Sequence, residues 1–473
     1  MSDPIVVIGA GPAGLAAAYE LVHNGHQPVV VEAEEQVGGL AKTVEFDGFR
    51  FDLGGHRFFT RNRQIETLWR ELLGERLRVR PRLSRIFYRG KLFSYPLKPA
   101  QALWQLGPLT AASVAASYAW ARFFPQKPED NFEAWVKNRF GRKLYEIFFR
   151  TYTEKVWGMA CTQVSSDWAS ERIQDLSFGK VIREALWPRP REERSRSLID
   201  EFLYPCRGPQ EMWDELARRV RAGGGTILTG ERVCIVRTEN GRAVSVLTKT
   251  RNGRGEEVAA SAVISTMPLR DLALAIRPEA PAAVRDAATQ LRFRAFLTVC
   301  LIVEAPSTFA DNWIYVHSPD LRMGRLQNFG NWSAEMVPEE DASAIGLEYF
   351  AWQGDEVWTM PDVELVELGT KEFAQLGLMP KAPVRRGYVA RSTEAYPVYD
   401  LGYRERVRVL REFLSGLKNV FPCGRGGLHR YNNMDHSMLT GILAARAALG
   451  EPVDVWERPR DDDSSAKGVQ EAL

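Results

Sequence analysis

At 473 residues and 45% hydrophobic content, the chain is long enough for two or three domains with buried cores. Its 62 basic and 60 acidic side chains leave a formal charge of +2, which excludes a global field able to hold nucleic acid or an anionic membrane, so any anion must be held by local arginines. The five cysteines, Cys161, Cys206, Cys234, Cys300 and Cys423, show neither CxxC nor Cys/His metal spacing and read as reduced thiols of a cytoplasmic protein with no metal site.

Pro4–Gly9 reads as a short buried strand, Gly11–Asn24 as a helix rich in Ala and Leu, and Pro28–Glu32 as a second strand. Because a core strand is reached by Ile5, a signal peptide is not expected. Gly9-Ala10-Gly11-Pro12-Ala13-Gly14 fits GxGxxG in the strand-to-helix context that the motif requires. Gly9 permits the tight turn, Gly11 lets a pyrophosphate approach the backbone, and Gly14 lets the helix pack on the strand. The helix N-terminus offers unpaired N–H groups to phosphates. Glu32, 18 residues after Gly14, is placed to accept from ribose hydroxyls. A plain glycine loop is the weaker alternative, since strand, helix and terminal acid coincide. Val37-Gly38-Gly39 and Gly54-Gly55-His56 follow at the spacing of a domain that wraps FAD rather than NAD.

Residues 99–121 carry no charge and are long enough to span a membrane, yet Gln101, Gln105, Pro108, Thr110, Ser113 and Ser117 favour an internal helical hairpin, with peripheral membrane contact left open. Residues 100–190 lack strand alternation and predict a helical insertion that meets the substrate; the charge run Arg189–Arg196 reads as a lid or linker. Thr226–Leu228, Val233–Arg237 and Val244–Thr248, with turns at Asn240-Gly241 and Asn252-Gly253, predict a β-meander. Ala262–Thr266 reads as a returning core strand, and Phe296–Val303 and Ile345–Ala351 as strands of a second sheet. Val420–Cys423 precedes Gly424, Arg425 and a small-residue helix after Met438, and beyond Arg458 the acidic tail reads as disordered. The predicted fold class is α/β. A discontinuous Rossmann-like FAD-binding domain (1–95, 199–275, 396–458) carries a helical insertion domain (96–198) and a mixed β-sheet substrate domain (276–395), followed by a tail (459–473).

Five ordered blocks carry a resemblance. They are Gly38–Thr43, Gly55–Thr60, Phe148–Gly158, Gly324-Arg325 with Asn331-Trp332-Ser333, and Tyr396-Pro397-Val398 with Gly424-Arg425, Tyr431 and Met434. Together they resemble the UDP-galactopyranose mutases, within the superfamily that also holds amine oxidases and protoporphyrinogen oxidase. Phe59 stands where bacterial mutases carry a second histidine, and Asn433 replaces an aspartate; Phe202–Gly208 looks more like the oxidase-type relatives.

The resemblance implies pyranose–furanose isomerisation of a nucleotide-diphosphate sugar, with N5 of reduced FAD as nucleophile, no net redox, and NAD(P)H as a candidate reductant. It implies cofactor contacts from Gly9, Gly11, Pro12, Ala13, Gly14, Glu32, Gly38, Gly39, Leu40, Gly54, Gly55, His56, Val233, Gly424, Arg425, Asn433 and Met434. Catalytic roles fall to His56, Arg325 and Arg425, and substrate contacts to Phe148, Phe149, Tyr152, Trp157, Arg172, Arg325, Tyr396 and Tyr431. The expected partner is the nucleotide sugar, without nucleic acid or stable membrane insertion. The alternatives are an FAD-dependent oxidoreductase of the protoporphyrinogen or amine oxidase type and a non-catalytic FAD-binding scaffold.

Each residue also has a plainer reading. The aromatic stripe 148–157 by itself favours core; the resemblance turns Tyr152 and Trp157 toward a nucleotide base, which needs a flat π-face. Arg172, Arg325 and Arg425 as a diphosphate clamp compete with ordinary salt bridges. His56 is either structural or a proton-exchanging group. Tyr396 and Tyr431 are hydrogen-bond donors to phosphate or sugar oxygens. Arg57, Arg61 and Arg63 read as solvated, and His429 and His436 lack metal-ligand partners.

Overall fold

The computed structural model describes residues 3–172, 201–380 and 382–457. The run Arg189–Arg196 and the tail from Arg458 lie outside the described residues.

Five parallel strands form the first sheet, in the order Val420–Pro422, Ala262–Ser265, Ile5–Ile8, Val29–Val31 and Thr226–Leu228. Ile5–Ile8 and Ala262–Ser265 are buried at every position, as continuous strands covered on both faces must be. The helix Pro12–His23 packs on the helix Met434–Ala448, which begins four residues before the Met438 that the sequence suggests. Glycine is required where the two cross: a Cβ on Gly441 would lie 2.0 Å from the Ala13 carbonyl oxygen. Gly14 closes the same helix onto its strand, since a Cβ there would lie 1.8 Å from the Gly9 oxygen.

Thr226–Leu228, expected in the meander, instead forms the edge of the parallel sheet beside Val29–Val31. The helix Gln210–Ala222 delivers it as a crossover, which local periodicity does not distinguish from a hairpin. The antiparallel meander itself comprises Glu231–Glu239, Arg242–Thr250 and Glu257–Ala259, turning at Asn240-Gly241 with φ of 51° and 74°.

The second sheet has seven strands in the order Val384–Pro397, Phe293–Val303, Ser343–Ala351, Arg325–Asn328, Trp313–Val316, Ser84–Tyr88 and Lys91–Ser94. All neighbours are antiparallel except Trp313–Val316 with Ser84–Tyr88. The pair spanning 84–94, expected within the first nucleotide-binding segment, is therefore an edge of the other sheet. Its partners lie more than 200 residues away, so no local signal points to them. Residues 99–172 are mainly helical, with non-helical connections at 124–131 and 158–165. The uncharged stretch is two helices, Pro99–Leu106 and Pro108–Phe123, broken at Gly107. Among the described residues no helix is long and apolar enough to cross a membrane.

Candidate functional site

Two cavities meet between the sheets. One is a groove lined by Gly9, Gly11, Pro12, Ala13, Glu32, Gly39, Leu40, Val233, Gly424, Arg425, Asn433 and Met434. The other is lined by Gly54, Gly55, His56, Arg57, Trp313, Tyr315, Arg325, Gln327, Trp332, Tyr396 and Tyr431. Leu40, His56, Arg425, Asn433 and Met434 line both, which marks the junction.

The groove fits the adenosine diphosphate part of FAD. Gly9 turns at φ 95°, and the helix Pro12–His23 has no side-chain cap, so its first N–H groups open into the groove. The Glu32 carboxylate accepts from the Ala10 N–H at 2.6 Å and the Glu34 N–H at 2.9 Å, one on each oxygen. Each oxygen retains a lone pair for a ribose hydroxyl. Burial raises the Glu32 pKa, against the Ala10 amide and Lys42. Gly11 faces the groove, and a Cβ there would meet nothing nearer than Gly39 Cα at 3.7 Å. Gly14 and Gly38 shape the groove without lining it. Gly38 turns at φ 112° and donates its N–H to the Ala10 oxygen at 2.8 Å. Gly54 and Gly55 line the second cavity only; a Cβ on Gly55 would lie 2.9 Å from Gln327 Nε2.

In the second cavity Arg325 opens a strand whose register sets it opposite Glu348, and the two form an ion pair. Arg325 Nη2 also donates to the Tyr396 hydroxyl at 2.8 Å, and Gln327 Nε2 donates to Glu348 Oε1 at 2.7 Å. Burial opposes the Arg325 charge, but Glu348 and the neighbouring tyrosines hold its pKa well above the ordinary value. This arginine is neutralised. Arg425 is not: Nε and Nη2 donate to the Asn432 oxygen at 3.1 and 2.7 Å, and Nη1 to the Ala395 oxygen at 3.0 Å. Its guanidinium lies 4.6 Å from the Tyr431 ring centre, and among the described residues it has no carboxylate partner.

Arg57, expected to be solvated, lines the cavity. Burial and the nearby Arg82 lower its pKa, and its Nη1 is buried without a partner. Arg61 and Arg63 are exposed, as expected, although Arg61 also borders the cavity. His56 has a buried Nδ1 without a partner, and its pKa is pushed down to about 3 by burial, Arg425 and Arg325. It is a neutral imidazole at physiological pH, able to give or take a hydrogen bond but not to act as a cationic acid.

A family model for the flavin-containing amine oxidoreductases matches residues 12–449. The chain belongs to that family. The L-amino-acid oxidase of Pseudechis australis is 37% identical over 113 residues, a stretch of 20% of this chain and only 22% of that oxidase. Among solved structures, reduced UDP-galactopyranose mutase superposes with a TM-score of 0.82 at 22% identity, covering 95% of this chain and 94% of that one. Wild-type putrescine oxidase bound to putrescine gives 0.62 at 18% identity, covering 95% and 99%. These likenesses establish the expected superfamily and the two-sheet FAD fold.

Within this flavoprotein the aromatic helix does not reach either cavity. Phe148 packs on Phe93 at 5.2 Å, Phe149 on Phe140 at 5.1 Å, and Trp157 on Trp168 at 4.8 Å. Tyr152 stacks on His317 at 4.7 Å, meets the edge of Tyr315 at 5.6 Å, and lies close enough to Arg325 to interact with its charge from behind the cavity wall. Of the expected base platform, Phe148 and Trp157 are core, while Phe149 and Tyr152 are half-buried against it. The segment is π-helical over Tyr145–Arg150, which displaces the face that α-helical spacing predicts. Its end is clasped to the second sheet: Lys155 Nζ donates to the oxygens of Val316, Ser318 and Met323 at 3.0, 2.7 and 3.1 Å, and Arg294 Nε to that of Val156 at 3.0 Å. Arg172 ends the helix Ser166–Arg172, and its side chain lies outside the described residues.

Residues missed in the sequence include Arg57, Trp313, Tyr315, Gln327 and Asp435 on the cavity wall, and Glu348 behind it. Glu348 carried a signal, a lone acid within the apolar strand Ser343–Ala351, where a charge is kept only if paired.

Proposed function

We propose that this flavoprotein isomerises the ring of a nucleotide-diphosphate sugar with no net redox. One observation carries the reading: Arg57 and Arg425, two guanidiniums without carboxylate partners, face a cavity of tyrosines that joins the FAD groove. Such a cavity suits a polyanion bearing a hydroxyl-rich ring and disfavours a purely apolar substrate. The fold likeness to reduced UDP-galactopyranose mutase supports it.

Bound reduced FAD would supply a nucleophilic N5 toward the sugar. The chain's own residues do the rest. Arg57 and Arg425 hold the diphosphate, and their fixed charge stabilises it as it becomes a leaving group. Glu348 and Arg325 lock the Tyr396 hydroxyl in place, while neutral His56 orients a sugar hydroxyl. The helix Met434–Ala448 has no side-chain cap, and its N-terminal N–H groups open at the junction of the two cavities.

The test is to reduce the purified flavoprotein anaerobically, supply UDP- and dTDP-linked pyranoses, and look for the furanose. Product without stoichiometric reductant supports the reading. Hydrogen peroxide formed in step with substrate loss in air, and no furanose, establishes the second reading. That reading is an amine- or amino-acid-directed oxidoreductase, favoured by the family and by the oxidase relatives.

A further inference from the structure

We infer that the helices of residues 99–123 and their basic flanks are a docking face for an anionic lipid bilayer. On the helix Pro108–Phe123 the exposed positions include Leu109, Ala112, Ala116, Trp120 and Phe123. They are spaced three and four apart and so share one stripe. Leu109 is 88% exposed, Trp120 66% and Phe123 78%, and Trp104 on the preceding helix is 84% exposed. Phe124 extends the stripe, its ring 4.4 Å from that of Trp120. An ordinary surface helix turns such a stripe inward; here Val114 is the buried member and the large apolar side chains face out.

The charges around the stripe identify the occupant. From Arg89 to Pro128 there is no aspartate or glutamate, and the five cations are Arg89, Lys91, Lys98, Arg122 and Lys127. All five are exposed, and none has an ion-pair partner among the described residues. Apolar and tryptophan side chains flanked along the chain by exposed cations outside any ion pair match the boundary between acyl chains and anionic headgroups. A second copy docked through the same face in a two-fold pair would set these cations against one another. The Pro108–Phe123 helix, about 24 Å long at 1.5 Å per residue, lies in the interface and does not span it.

The face is tied to the catalytic half. Lys91 Nζ donates to the Gln105 backbone oxygen at 2.8 Å and Ser94 Oγ to Gln101 Oε1 at 2.7 Å, holding the helix Pro99–Leu106 to the edge of the seven-stranded sheet. Tyr95 then contacts Tyr315 of the cavity at 4.8 Å. Because the whole chain carries only +2, binding depends on this local patch and weakens with salt.

The test is co-sedimentation of the full flavin-loaded protein with vesicles of phosphatidylcholine alone or mixed with phosphatidylglycerol. Binding is expected to the mixed vesicles only. Each charge removed in Lys98→Gln/Arg122→Gln should weaken it roughly fivefold, and Trp104→Ser/Trp120→Ser should abolish it, with flavin absorbance unchanged. Absence of wild-type binding, equal binding to neutral vesicles, or wild-type dimers that these substitutions dissociate would each overturn the inference. If the tryptophan variant loses flavin, the charge variant decides, since its side chains are exposed.

Discussion

Arg325 and Glu348 face each other from adjacent antiparallel strands as a buried ion pair, with the Glu348 side chain wholly inaccessible and the Arg325 side chain only 16% exposed. The arginine that the sequence marks as a diphosphate ligand is already matched by a carboxylate. Its removal strands that carboxylate in the core. Arg325→Ala is expected to cost about 3–5 kcal/mol of stability, and Arg325→Met/Glu348→Gln to recover most of it. Thermal and denaturant unfolding around this cycle measures the coupling; strictly additive costs would show that the pair does not act as one unit.

In the proposed function Arg57 and Arg425 hold the anion instead. Arg57→Gln removes a cation that burial and Arg82 disfavour, so melting should stay level or rise. Losing a charge-assisted contact of about 1.5–3 kcal/mol should raise the Kd for a nucleoside diphosphate about tenfold to a hundredfold. Calorimetric titration with UDP, alongside a melting curve, reads both effects. A stability loss with unchanged affinity would make Arg57 structural.

Gly11 and Gly14 should separate cofactor binding from folding. A Cβ at Gly11 has space, its nearest neighbour being 3.7 Å away, so Gly11→Val is expected to fold with its side chain in the groove and to be colourless. At Gly14 the Cβ would sit 1.8 Å from a backbone oxygen, and Gly14→Val should not fold. Circular dichroism and flavin absorbance distinguish the two, and a fully yellow Gly11 variant would refute the groove assignment.

Lys155 tests the clasp. Lys155→Met leaves the Val316, Ser318 and Met323 carbonyl oxygens without their donor, with an expected stability cost of about 1–3 kcal/mol. KM for the substrate should hold near the wild-type value. A raised KM at unchanged melting temperature would return this segment to the binding site.

Asp52 gives stability a pH dependence. Its carboxyl accepts from Thr43 Oγ1 at 2.7 Å and the Tyr204 hydroxyl at 2.8 Å, and burial raises its pKa from 3.8 to about 7. A raised folded-state pKa means a contribution fully present below about 4 and lost as pH climbs toward about 7. Asp52→Asn should therefore gain on the wild type as pH rises from 4 to 8, read as the difference in melting temperature. A constant difference would place the Asp52 pKa near its ordinary value.

By itself the sequence determined the nucleotide-binding half: Gly9, Gly11, Gly14 and Glu32 act within one strand, turn and helix, where conformation follows from neighbours a few residues away. It also located Arg425, Tyr396, Tyr431 and His56 on the cavity walls, through blocks that resemble a known family. Only the tertiary structure decided the charges. Glu348 neutralises Arg325 through a strand register, Arg57 turns inward beside Arg82, and a π-helical turn with the Lys155 clasp withdraws Phe148 and Trp157 into the core. Pairing, burial and register join residues far apart in the chain, and the free energy of a charge or a ring depends on those partners rather than on its sequence neighbours.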